Sequence, residues 1–119
     1  MTDKHSIAEF KTDRIVCLDC ENLHLFAEVI DLIPISSRCW VKPLTIARSR
    51  PESFKLEFLH DLRDTAQLIL PTALFRDALD TEVIPLISEL FHPTKDLIRS
   101  ANAQRVLYQF ITDLYRNIH

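Results

Sequence analysis

Phe54-Lys55-Leu56-Glu57-Phe58-Leu59-His60-Asp61-Leu62-Arg63 is the stretch that decides the fold. Phe54, Leu56, Phe58, His60 and Leu62 share one parity, and Lys55, Glu57, Leu59, Asp61 and Arg63 share the other. Successive side chains of a strand point to opposite faces, so this alternation predicts a half-buried antiparallel strand. Working outward, Asp64-Thr65 reads as a turn and 66–70 as a final strand stopped by Pro71. On the other side lies a charged loop, Arg48-Ser49-Arg50-Pro51-Glu52-Ser53, preceded by a strand candidate over 39–47. Within it Pro43 offers no backbone donor, which predicts an edge, a bulge or a bend.

The segment 23–33 is rich in strand formers. Leu23, Leu25, Ala27 and Val29 would share one face, and His24, Phe26, Glu28 and Ile30 a half-covered second one. Pro34 to Ser37 interrupts the run. Arg14-Ile15-Val16-Cys17-Leu18 reads as the first strand, with Asp19, Glu21 and Asn22 forming the turn after it. The chain has no glycine, so its hairpins are expected to avoid the common glycine-containing two-residue turns.

After residue 71 the period changes. A short helix is expected over 72–79, and Asp80 or Thr81 is expected to cap another in which Val83, Ile84, Ile87, Leu90 and Phe91 recur at helical spacing. Pro85 then belongs near that helix's first turn. Ala103, Leu107, Phe110, Ile111, Leu114 and Ile118 form an apolar stripe on a last helix, expected over 95–117 and capped by Thr94. The order implies an α+β domain: a curved antiparallel sheet of four or five strands, approaching an SH3-like barrel in its first half, followed by C-terminal helices. Residues 1–12 read as a flexible N-terminal arm and 13–119 as a single domain.

Composition narrows the chemistry. Without glycine, phosphate-cradling loops, dinucleotide fingerprints and nucleophile elbows are disfavoured. A net charge of -3 argues against a globally basic nucleic-acid binder. The polar N-terminus lacks the apolar core of a signal peptide, and the apolar runs are too short to span a bilayer. A cytoplasmic location with no membrane partner is therefore expected.

Cys39-Trp40-Val41-Lys42-Pro43-Leu44, Asp61-Leu62-Arg63, Leu70-Pro71 and Leu74-Phe75-Arg76 form a pattern that resembles small soluble proteins of cyanobacteria. Ala78-Leu79-Asp80-Thr81-Glu82-Val83-Ile84-Pro85-Leu86 belongs to the same pattern, and the resemblance covers roughly residues 23 to 117. It implies a cytosolic accessory protein of a photosynthetic cell and brings no catalytic motif with it.

Cys17, Cys20 and Cys39 fall with His24 within the first forty residues, four side chains of zinc-ligand type. On a regular strand, however, Cys17 and Cys20 point to opposite faces, so buried free thiols are the favoured reading and no metal or cofactor is expected. His24 and His60 can approach across strands, but nothing specifies a third group. Ser36, Ser37, Ser49 and Ser53 have no nucleophile context, and Glu82 and Glu89 read as solvated. The chain is not expected to be an enzyme.

Arg38, Trp40 and Lys42 alternate along one strand face, with Arg48 and Arg50 shortly after. Trp and Arg dominate protein hot spots, and an aromatic flanked by cations also suits stacked bases. The expectation is a non-catalytic protein-binding domain, acting as adaptor, assembly factor or accessory subunit, with those five residues in contact. The alternatives are a single-stranded nucleic-acid-binding module on the same patch and a small zinc-stabilised module.

Overall fold

A computed structural model describes residues 14–91 and 102–118. The strands are β1 (Ile15–Cys20), β2 (Leu23–Ile33), β3 (Arg38–Arg50), β4 (Ser53–Asp61), β5 (Leu68–Pro71) and β6 (Arg76–Asp77). The helices are α1 (Asp80–Phe91) and α2 (Ala103–Ile118). The class is α+β, as expected, but the antiparallel sheet has six strands in the order β4-β3-β2-β1-β6, with β5 also on β3. It is open, ending at β4 and β6, and does not close into the SH3-like barrel. The expected arm at 1–12 and helix start at 94–96 lie outside the described residues. No helix among the described residues is long and apolar enough to cross a membrane.

Pro43 is the pivot of the sheet. Ala27 pairs with Pro43 and Phe26 with Thr45, so Leu44 is an extra residue on β3. On the far edge, β4 pairs with β3 from Thr45 onward, and β5 pairs with Arg38 to Val41. Pro43, which has no N–H to donate, sits where that edge is handed from one strand to the other. There the Leu62 N–H donates to the Leu44 carbonyl at 2.9 Å.

Each extra residue reverses which parity faces which way. Before Leu44, Cys39 and Val41 pack into the larger core cluster; after it, Ile46 does. β4 behaves alike. Ile46 pairs with His60 and Ala47 with Phe58, leaving Leu59 as the extra residue. Phe58 and Leu56 therefore pack on one sheet face, while Leu59 and Leu62 pack on the other. The single face expected for Leu56, Phe58, His60 and Leu62 is thus divided.

The two helices cover opposite faces. Ala103, Leu107, Phe110 and Leu114 of α2 pack on Val16, Leu18, Leu25, Val29 and Val41. Leu86 of α1 packs on Cys17, Phe26, Leu44, Ala47 and Phe58. Six-residue β1 supplies both, sending Val16 and Leu18 one way and Cys17 the other, which is why its first four residues, Ile15 to Leu18, read as an apolar run. Of the expected α2 stripe, Ala103, Leu107, Phe110 and Leu114 are buried, Ile111 is partly buried and Ile118 is about half exposed.

Local chemistry corrects several sequence expectations. β1 extends through Asp19 to Cys20, and Glu21-Asn22 alone makes the turn, with Glu21 at φ 56. A two-residue hairpin forms without glycine because Glu21 takes the left-handed conformation itself. β3 runs on through Arg48 to Arg50, so the charged loop shrinks to Pro51-Glu52. Residues 72–79 are not an α-helix: a 3-10 turn at Thr72–Leu74 leads into β6. α1 is capped by neither Asp80 nor Thr81. Its first turn begins at the Leu79 carbonyl, and the Glu82 carboxylate accepts from the Leu79 N–H at 2.8 Å, the reverse half of a capping box. Pro85 lies inside α1, in its second turn rather than its first.

Candidate functional site

On the α1 face, three neighbouring strands bring polar groups together. Asp19 of β1 pairs directly with His24 of β2, and His24 with Ala47 of β3. Ser49, two residues beyond Ala47, shares that face and lies diagonally across from His24. Asp19 Oδ1 is 2.7 Å from His24 Nδ1, and His24 Nε2 is 2.8 Å from Ser49 Oγ. Asp19 also accepts from Arg76 Nε at 2.6 Å and Arg76 Nη2 at 3.1 Å, and from the Cys17 thiol at 3.3 Å. Arg76 in turn meets Glu82 through Nη1 at 2.9 Å and Nη2 at 2.8 Å. Glu82 is thus paired rather than solvated, its side chain 15% exposed.

The electrostatics follow from these bonds. Burial alone would raise the Asp19 carboxyl; hydrogen bonds from His24, Arg76 and Cys17 outweigh it and hold Asp19 well below the usual carboxylate range. Glu82 is held down likewise, burial being outweighed by Arg76 and the Leu79 N–H. Glu82, then Asp19, hold the Arg76 guanidinium more firmly protonated than usual. Burial, with the Asp19 charge, pushes the Cys17 thiol up, so it is a proton donor here and not a thiolate.

Beside this network a cleft of about 530 Å³ opens between the sheet and the start of α1. Its walls include His24, Ser49, Lys55, Leu56, Leu79 and Pro85.

The zinc tetrad does not assemble. Cys20 and Cys39 belong to the α2-face cluster and Cys17 to the α1-face cluster, as strand alternation requires. Cys17, Asp19 and His24 do converge, with ligand atoms all within 4.8 Å of one another. Arg76 already occupies both Asp19 oxygens and places a fixed positive charge there, so this trio is a poor cation cradle. His24 and His60 do not meet. His60 faces the α2 side beside Ile46, where burial lowers its basicity.

The five residues singled out for contact fall into two groups. Trp40 pairs with Asp31 and Ile69, Lys42 with Glu28, and Arg38 with Ile33 and Pro71. These lie on the face opposite Cys39 and Val41, with Trp40 partly buried and Ile69 47% exposed. The Trp40 Nε1–H donates to Gln67 Oε1 at 3.0 Å, fixing the indole edge. Because Leu44 reverses the parity, Arg48 and Arg50 point to the other face, where Arg50 meets Glu57 at 2.8 Å and Arg48 at 3.9 Å.

A further surface was not singled out from sequence. Ile84, Ile87 and Phe91 are 70%, 45% and 74% exposed, and their spacing places them on one side of α1. The periodicity was visible, but which of its residues meet the sheet depends on Leu86 being the docked one.

No family model, no curated protein and no solved structure matches this chain.

Proposed function

We propose that this chain is a protein-binding domain serving as an adaptor, assembly factor or accessory subunit. The observation that carries the reading is the apolar stripe of Ile84, Ile87 and Phe91 on the outer side of α1. Large apolar side chains contiguous on a helix and held in water favour burial against another protein. The Arg38, Trp40 and Lys42 face supplies a second contact region: an aromatic anchor with its polar edge already satisfied, flanked by cations.

The division of the arginines weighs against the single-stranded nucleic-acid alternative. Arg48 and Arg50 converge on Glu57 on the face opposite Trp40, so a base stacked on Trp40 would have only Arg38 and Lys42 beside it for its phosphates. The zinc-stabilised alternative loses its four-ligand set for the same kind of reason.

A quantitative pulldown from native lysate, with and without nuclease, tests the reading. Wild type is compared with Ile84→Ser/Phe91→Ser and with Trp40→Ala, each verified as folded. A stoichiometric protein retained after nuclease and lost with either variant is expected. Recovery of nuclease-sensitive material alone, falling steeply with salt, would assign the surface to nucleic acid instead.

A further inference from the structure

The polar network on the α1 face contains an arrangement that the docking surfaces do not use. Asp19, His24 and Ser49 form an unbroken hydrogen-bonded line across three adjacent strands, at 2.7 Å and 2.8 Å. An ionised carboxylate is an acceptor only, so His24 must present its Nδ1–H to Asp19. In the neutral imidazole the remaining nitrogen, Nε2, is then the acceptor and faces the Ser49 hydroxyl. The rival acceptor for that hydroxyl, the Asn22 carbonyl, is 3.5 Å away. Asp19 is kept ionised by the hydrogen bonds from His24 and Arg76, and the His24 side chain is 13% exposed, so the tautomer and ring orientation are both held. His24 and Ser49 also line the cleft of about 530 Å³, so the serine oxygen is within reach of a small molecule.

We propose that Ser49 is a nucleophile activated by His24, with Asp19 as the positioning residue, and that the cleft accepts small carboxylic esters with a short apolar acyl group. Leu56, Leu79 and Pro85 supply the apolar wall for that acyl group, and Lys55 lines the same cleft. In the first step a bond forms between Ser49 Oγ and the ester carbonyl carbon while the Oγ proton passes to His24 Nε2. The tetrahedral adduct then collapses, the bond to the alcohol oxygen breaks, and the alcohol leaves with the proton from His24. Water, deprotonated by His24 in the same way, attacks the acyl carbon. The carboxylic acid departs and Ser49 recovers its proton.

The arrangement also sets the expected speed. The Ser49 N–H is committed to the Asn22 carbonyl at 2.9 Å, so it is not free to stabilise the developing oxyanion; the cationic side chain that lines the cleft is Lys55. An oxyanion-hole donor is worth on the order of 100- to 1000-fold in rate. Both acylation and deacylation are therefore expected to be slow, and the acylated serine accumulates with an ester whose good leaving group makes acylation the faster step.

The test treats the full chain with p-nitrophenyl acetate and follows nitrophenolate release together with peptide mass mapping. The expected result is a burst approaching one equivalent, with the acetyl group on Ser49. Ser49→Ala should lose both, and His24→Gln should slow acetylation roughly 100-fold. Asp19→Asn should slow it similarly with partial rescue by Asp19→Glu, a pattern that loss of packing alone would not produce. Wild-type protein carrying acetyl groups on lysines but none on Ser49 overturns the proposal without reference to any variant. Unchanged Ser49 acetylation in a folded His24→Gln protein overturns the role of His24.

Discussion

Arg76 and Glu82 form a two-point ion pair, Nη1 to Oε1 at 2.9 Å and Nη2 to Oε2 at 2.8 Å. The other edge of the same guanidinium grips Asp19, so one side chain on β6 ties β1 to the first turn of α1. β6 has two residues and pairs with β1 at two positions, too little ladder to hold the segment by itself. Arg76→Ala should cost about 1–2 kcal/mol, discounted for an Arg76 side chain that is itself partly exposed. Urea denaturation with verified two-state behaviour would measure it.

The same ion pairs set an acid dependence. Asp19 and Glu82 are both depressed below their ordinary values of 3.8 and 4.5. Their contribution is present above those unfolded-state values and lost as pH falls through the lower folded-state ones. The stability difference between wild type and Arg76→Ala should be level from about pH 5 to 8 and shrink below about pH 4. Urea midpoints across that range would check it, and a difference growing toward acid would contradict the sign.

Phe110 and Leu86 anchor opposite faces of one sheet, 3% and 0% exposed. Phe110→Ala should cost about 3–5 kcal/mol and Leu86→Ala about 2–5 kcal/mol. They belong to separate clusters, so the double variant should be additive within about 0.5 kcal/mol. A larger discrepancy in the double-mutant cycle would mean the faces communicate through the sheet.

The thiols should be inert while the chain is folded. Cys17 and Cys39 are fully covered, and burial pushes the Cys39 thiol up to about 11. Ellman's reagent at neutral pH should therefore label neither at an appreciable rate in native protein and both on unfolding. Rapid native labelling of Cys39 would show that α2 opens easily from its face.

Glu21 holds φ at 56 in a two-residue turn, a conformation that costs an L-residue roughly 1–2 kcal/mol. Glycine has no such penalty but loses more backbone entropy on folding. Glu21→Gly should leave a net gain of about 0.5 kcal/mol, read as a raised melting temperature. A fall would mean that the Glu21 side chain contributes more than its backbone costs.

The local consequences of sequence were legible. Alternation over 54–63 located β4, the apolar positions of 103–118 located α2 and its buried face, and the lone proline of β3 announced an irregularity where one exists. The separation of Cys17 from Cys20 followed from strand geometry alone. Each of these depends on a few consecutive residues and the period of the backbone.

The candidate sites depended on contacts between distant residues. Read from sequence alone, Ser49 has no nucleophile context. It reaches His24 because β3 continues past residue 47, and because the extra residue at Leu44 puts Ser49 and not Arg48 on that face. The same single-residue shift separates Arg48 and Arg50 from Trp40, which plain alternation had joined. The sequence by itself determined the α+β class and most of the longer elements, because side-chain period and backbone propensity are local; over 72–79 it reads as a helix where the chain forms a 3-10 turn and the sixth strand. Only the tertiary structure decided which polar groups meet. One unpaired residue in a strand inverts every side chain beyond it, and its position is set by the pairing of strands far apart in the chain.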